Sequence, residues 1–226
     1  MAAMSRTSLA SLAFAAGALV LAACSGAPTS AVVQSDISRL ADVKSMFGPE
    51  FKVSTVAPTG IDPRLLTPQS LPPGVTFDPP DCGKFATGLA LSPGLKGNMS
   101  AVTAEGAGNR FIVIAVETSE DLEIPEPGDN CHKVAFVGPG ARGLVERTDT
   151  PPIAGAKTLG THRFVQTAIQ GKPASGELYN YVASFGSFLV IVTANPLVVP
   201  NAPVQQVDTQ RARDLLVAAV SDVRGS

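Results

Sequence analysis

Tryptophan is absent from the 226-residue chain, aromatic residues make up 5% of it, and there are only two histidines and three cysteines. With so few rings, there is little from which to build a stacking platform for bases or sugars. Charge is scarce too: charged residues are 16%, with 17 basic against 19 acidic and a formal charge of −2. That balance gives no cationic footprint for a phosphate backbone and argues against nucleic acid as a partner. No apolar run is long enough to cross a bilayer as a helix. Glycine and proline are plentiful, at 21 and 19 residues, yet together they stay below the share that marks a disordered chain. The length suits one domain that buries roughly 70% of its extended-chain surface.

What is present begins with an address. Arg6 is the only charge before Asp36, and it precedes an apolar run from Leu9 to Leu21 rich in leucine and alanine. The run is too short for the roughly 30 Å hydrocarbon core and reads as the apolar region of a signal peptide covering residues 1–23. It ends in Leu21-Ala22-Ala23-Cys24, which resembles the lipobox of bacterial lipoproteins at each position. The small residues admit a peptidase to the bond after Ala23, and the Cys24 thiolate takes a diacylglycerol. Cys24 is thus the expected lipid attachment point, with the membrane as its partner, because two acyl chains suffice for stable anchoring. Residues 24–34 are small and largely polar and read as a flexible tether of roughly 17 Å reach. The outer face of the cytoplasmic membrane is the expected location.

Two thiols then remain, Cys82 and Cys131. In an oxidising envelope an even pair reads as a disulfide, closing a loop of about 50 residues and stabilising the fold by about 4 kcal/mol on a chain-entropy estimate. The alternative is a nucleophilic or metal-bound thiol, but no CxxC or Cys/His cluster accompanies either residue.

Residues 35–226 read as one extracytoplasmic α+β domain. Ile37, Leu40, Val43 and Met46/Phe47 predict a helix over residues 35–47, with Ser35 or Asp36 as its cap and Gly48-Pro49 as its stop. A second helix is expected over residues 209–223, where Ala212, Leu215, Leu216, Ala219, Val220 and Val223 form an apolar stripe behind Asp208. Strands are expected over residues 51–56, 99–105, 110–117, 132–137, 143–148, 161–170, 177–185 and 187–194. Glycine-bearing turns lie at Gly106–Asn109, Gly138–Gly140, Gly171–Gly176 and Gly186. Phe111–Val116 and Phe188–Val192 are apolar without alternation, as in central strands covered on both faces. The expected architecture is an antiparallel sheet of six to eight strands packed against N- and C-terminal helices. Seven prolines between Pro58 and Pro80 predict an extended surface connector, followed by a short helical turn at residues 82–90.

Catalytic signatures are few. Gly138-Pro139-Gly140-Ala141-Arg142-Gly143 matches GxGxxG by letter, but a strand pattern follows where a dinucleotide site needs a helix. Glu117, Glu120, Asp121, Glu123, Glu126 and Asp129 make an acidic stretch without EF-hand spacing, which reads as a solvated loop. His132 and His162 have no GxSxG, SxxK or HExxH context, so no catalytic residue, metal or cofactor is expected. Tyr179 and Tyr181 alternate onto one sheet face with Glu177, where they line a groove or pack into the core.

The lipobox, the proline-rich segment ending in Asp81-Cys82-Gly83, the block from Gly97 to Glu117, Asn130-Cys131 and the stretch from Gly176 to Pro196 carry a resemblance. Together they look like a family of mycobacterial cell-envelope lipoproteins with a domain of unknown function. The layout is more remotely similar to the extracellular sensor domain of mycobacterial Ser/Thr kinase H. The resemblance implies an envelope-facing binding or sensor-like module without a known ligand, and the absence of catalytic sets on a tethered single domain favours a small apolar ligand or an envelope protein partner over an enzyme. A hydrolase acting on envelope material and a purely structural surface lipoprotein are the other readings.

Overall fold

Ile37, Leu40, Val43 and Met46 recur at every third position, a period that matches three residues per turn more closely than 3.6. In the computed structural model this segment is a 3₁₀ helix, Ile37–Met46, and not the α-helix its spacing first suggests. At that winding the four side chains eclipse along one edge, and Ile37, Leu40 and Val43 are buried. Asp36 caps it, its carboxylate accepting from the Ser38 amide at 2.8 Å. The structure describes residues 34–62, 71, 74–88, 95–122, 124, 126–169, 172–200 and 202–226. They lie in one compact unit, Val33–Ser226.

Nine strands form one sheet: β1 (Phe51–Gly60), β2 (Thr76–Asp78), β3 (Gly97–Gly106), β4 (Asn109–Thr118), β5 (Lys133–Gly138), β6 (Ala141–Thr148), β7 (Lys157–Ile169), β8 (Lys172–Phe185) and β9 (Phe188–Pro196). Their order is β1-β3-β4-β9-β8-β7-β6-β5-β2, and all neighbours are antiparallel. The sheet therefore exceeds the expected six to eight strands. The extra one, β2, comes from the proline-rich stretch, is three residues long and shows no alternation of its own. Three further boundaries differ from expectation by four residues or more; one is β7, which begins at Lys157 and not at residue 161 because residues 157–160 pair with β8. β1 continues through Pro58, which an edge strand tolerates because a register shift between Val56 and Thr59 accommodates the missing donor. β8 begins at Lys172, because Ala174, Ser175 and Gly176 pair with β7 despite their turn-like composition.

The turns lie where glycine is placed for them. Ala107 and Gly108 both have positive φ between β3 and β4, Gly140 does between β5 and β6, and Gly186 does between β8 and β9. Gly143, the last glycine of the GxGxxG match, sits within β6. A Cβ there would collide with the Phe164 carbonyl and the Phe136 ring, so its role is close packing.

The C-terminal helix, Thr209–Arg224, is capped by Asp208, which accepts from the Arg211 amide at 2.9 Å. It and the 3₁₀ helix pack on β1, β3, β4, β8 and β9. The main core lies between, with Phe111, Leu215, Leu216 and Val220 at its centre. Asn109 fixes the helix entry, its side chain bonding the Gln206 carbonyl and the Asp208 amide. On the opposite face Ile61, Leu122 and Ile124 cover Met99, Ile114, Leu189 and Ile191. β4 and β9 are thus covered on both sides, as their unbroken apolar runs predict. A third cluster closes over β5 and β6, where Phe77, Phe85 and Ala86 pack on Val134, Phe136 and Val145. Cys82 and Cys131 join there, with Cα atoms 5.4 Å apart, both almost fully buried. The short helix that follows Cys82 spans Gly83–Thr87.

Candidate functional site

One row of cross-strand partners runs Val53, Ala104, Phe111, Ala194, Tyr179, His162, Glu146, Lys133 across the helix-bearing face. Up to Tyr179 the row is core or packed against it. Beyond Tyr179 the side chains are ionisable: the C-terminal helix packs mainly on β4, β8 and β9 and the 3₁₀ helix on β1, β3 and β4, so neither packs substantially on β5, β6 or β7. Among the described residues, half of this face is consequently left open, and that half is the candidate site.

At the boundary His162 stacks on Tyr179 with ring centroids 4.2 Å apart. Its Nε2 lies 3.3 Å from Glu177 Oε2 and its Nδ1 3.8 Å from Glu146 Oε2. Lys133 Nζ lies 2.7 Å from the other oxygen of Glu146. The Lys133 hydrogen bond is the largest influence on Glu146 and holds its pKa below the usual glutamate value, against a smaller rise from burial. Tyr179 is pushed the other way, first by burial and then by the Glu177 charge. Chemically this is a ladder of polar partners that ties β5 to β8, its exposed Lys133–Glu146 ion pair contributing at most about 1 kcal/mol. The partners of His162 are two carboxylates and a phenol ring, with no hydroxyl or thiol nucleophile among them. Among the described residues no group of His, Cys, Asp and Glu is arranged to hold a metal ion.

Two rows further along, Val137, Arg142, Gln166 and Ser175 are successive partners on β5, β6, β7 and β8. Between that row and the charged ladder lie Ala135, Leu144 and Phe164, with Glu177 on β8. Val137 is 61% exposed and Phe164 37%. An open cleft of about 550 Å³ lies at this end of the sheet, lined by Val137, Arg142, Gln166, Ala168, Pro173 and Ser175 among others. Among the described residues Arg142 is the one ionisable group in its lining. The Arg142 Nε donates to Gln166 Oε1 at 2.8 Å, which steadies the guanidinium plane.

The residues singled out in the sequence fall in different places. Cys24, with the leader and most of the tether, lies outside the described residues. Cys82 and Cys131 form the disulfide. Tyr181 does not line a groove: it is fully buried under the C-terminal helix, and among the described residues its hydroxyl has no hydrogen-bond partner. Burial is also what raises its pKa most. Tyr179 stands two residues away on the same face and remains at the open boundary. The acidic stretch is pinned rather than free, since Leu122 and Ile124 pack into the second cluster and the Leu122 amide donates to the Gly186 carbonyl. Glu123 is outside the described residues. His132 is exposed, and its carbonyl accepts from the Arg147 amide. Arg142 and Gln166 were not foreseen, because only strand register brings them together.

A family described as a domain of unknown function, DUF5642, matches residues 36–224. The chain belongs to this family. An X-ray structure of an uncharacterized protein from Mycobacterium smegmatis, an Rv0999 ortholog, is 60% identical to it. That match has a TM-score of 0.81 and covers 86% of this chain and 100% of the other. The extracellular domain of PknH from Mycobacterium tuberculosis is a remote likeness, with 12% identity, a TM-score of 0.41, and coverage of 86% of this chain and 94% of that domain. The first of these is mycobacterial, as the resemblance in the sequence implies. No curated protein matches the chain.

Proposed function

We propose that this DUF5642 protein is a lipid-anchored envelope module that binds a small ligand on the open half of its sheet. The cleft of about 550 Å³ carries the reading: it falls within the size range of small-molecule sites and lies where the helices leave the sheet bare. Among the described residues its lining combines small apolar groups with one cation and no nucleophile–base pair, a composition suited to holding and orienting a ligand. The lipobox ending at Cys24 supports the anchor, and the buried disulfide supports an oxidising compartment. Among the described residues no helix is long and apolar enough to cross a membrane.

Native mass spectrometry of protein purified from its own envelope tests the proposal. The expected result is a retained non-covalent adduct that is lost when Ala168→Trp fills the cleft. An adduct that persists in that variant would place binding elsewhere, and a bare protein in both would argue for a structural role. Exposed Val137 and Phe164 also favour a protein partner on the same face, which would be seen as a protein-sized adduct.

A further inference from the structure

The charges of the open face are unevenly engaged. Glu146 is held by Lys133, and Glu177 by His162. Arg142, at the other end of the face, has its Nε on a neutral amide, and among the described residues no carboxylate pairs with it. A guanidinium fixed at Nε presents its two terminal nitrogens as a planar fork, which suits two oxygens of one anion. From Arg142 to Glu146 along β6 is four residues, roughly 14 Å of strand. The side chains covering that distance on β5, β6 and β7 are Ala135, Leu144 and Phe164, none of them charged. The face thus reads, in order, as a cation, an apolar strip with Glu177 at its β8 end, and the polar row of Lys133, Glu146 and His162.

We infer that the cleft takes the head of a singly headed anionic amphiphile, its carboxylate or phosphate on Arg142, with its unbranched apolar chain running past Val137 out of the cleft and over the neighbouring Leu144 and Phe164. This rests on the reading of the cleft as a ligand site. Gln166 is a positioning residue, holding the guanidinium without meeting the ligand's charge. The polar row beyond the strip sets the chain length, because a longer tail runs onto Lys133, Glu146 and His162.

Calorimetric titration of the purified protein with decanoate and decyl phosphate tests this. Acetate, inorganic phosphate, decyltrimethylammonium and decyl maltoside serve as controls. One of the two decyl anions is expected to bind saturably at one site, and the preference between them identifies the head as carboxylate or phosphate. Arg142→Gln should weaken that binding about tenfold or more, with partial recovery in Arg142→Lys. Equal binding of decyl maltoside or decyltrimethylammonium, or an Arg142→Gln protein that binds like the parent, would overturn the inference and leave the cleft a ligand site. Acetate or inorganic phosphate binding as tightly as its decyl counterpart would overturn the apolar half. Failure of every probe to bind would overturn this inference alone if a native adduct is still found, and the cleft reading with it if none is.

Discussion

The imidazole of His162 lies nearly parallel to the ring of Tyr179, at 12° between planes, and this stack marks where the sheet passes from covered to open. On one side the row continues into Ala194 and Phe111, and on the other into Glu146 and Lys133. The ladder beyond the stack has a pH signature. Because the folded pKa of Glu146 is depressed, its contribution is fully present above the unfolded value near 4.5 and is lost as pH falls through the folded value. Glu146→Gln should therefore cost less than about 1 kcal/mol at neutral pH and flatten the acid limb of stability. Urea midpoints measured from neutral pH down to about pH 3 check this; an unchanged acid limb would remove Glu146 from the account.

Removing the disulfide should be far more costly. Cys82 and Cys131 are 49 residues apart and pin the segment carrying Phe77, Phe85 and Ala86 against β5 and β6. Replacing both with alanine should destabilise the fold by about 2–5 kcal/mol. Denaturation with and without reductant should show the parent falling to the level of the double variant.

Tyr181→Phe should be neutral or slightly stabilising, because it deletes a buried hydroxyl that has no hydrogen-bond partner among the described residues while keeping the ring under the helix. Thermal melts read it directly. A loss above about 1 kcal/mol would mean that Arg213, Thr148 or Thr209 engages the hydroxyl.

Gly143→Ala should push β6 away from the Phe164 carbonyl and the Phe136 ring, costing about 1–3 kcal/mol. Hydrogen exchange should rise first at the β6–β7 amides. Protection equal to the parent's there would refute the close-packing role of this glycine.

Intact mass of the protein from its own envelope should show loss of residues 1–23 and a diacylglycerol adduct on Cys24. An unmodified mature chain would contradict the anchor.

Much of the architecture is legible because local chemistry demands it. The turn at Ala107-Gly108 needs positive φ, and the runs Phe111–Val116 and Phe188–Val192 belong where both faces are covered. The C-terminal helix declares itself through Asp208 and a stripe that is buried throughout. What stays hidden is whatever a partner decides. β2 exists because three residues find an edge of β5, and the start of β8 because β7 reaches far enough to pair with it. Tyr179 and Tyr181 look equivalent by alternation, yet the edge of the helix layer falls between them. The site is least legible of all, since Arg142 and Gln166 are 24 residues apart in sequence and meet only through register.

The Asp36 amide donates to the Val223 carbonyl at 2.8 Å, so the cap of the first helix rests on the last turn of the final one. In chain terms the domain is almost a closed ring. A short glycine-rich splice from Ser226 to Asp36 would let new ends be opened at an exposed turn such as Pro139-Gly140 while every strand keeps its neighbours.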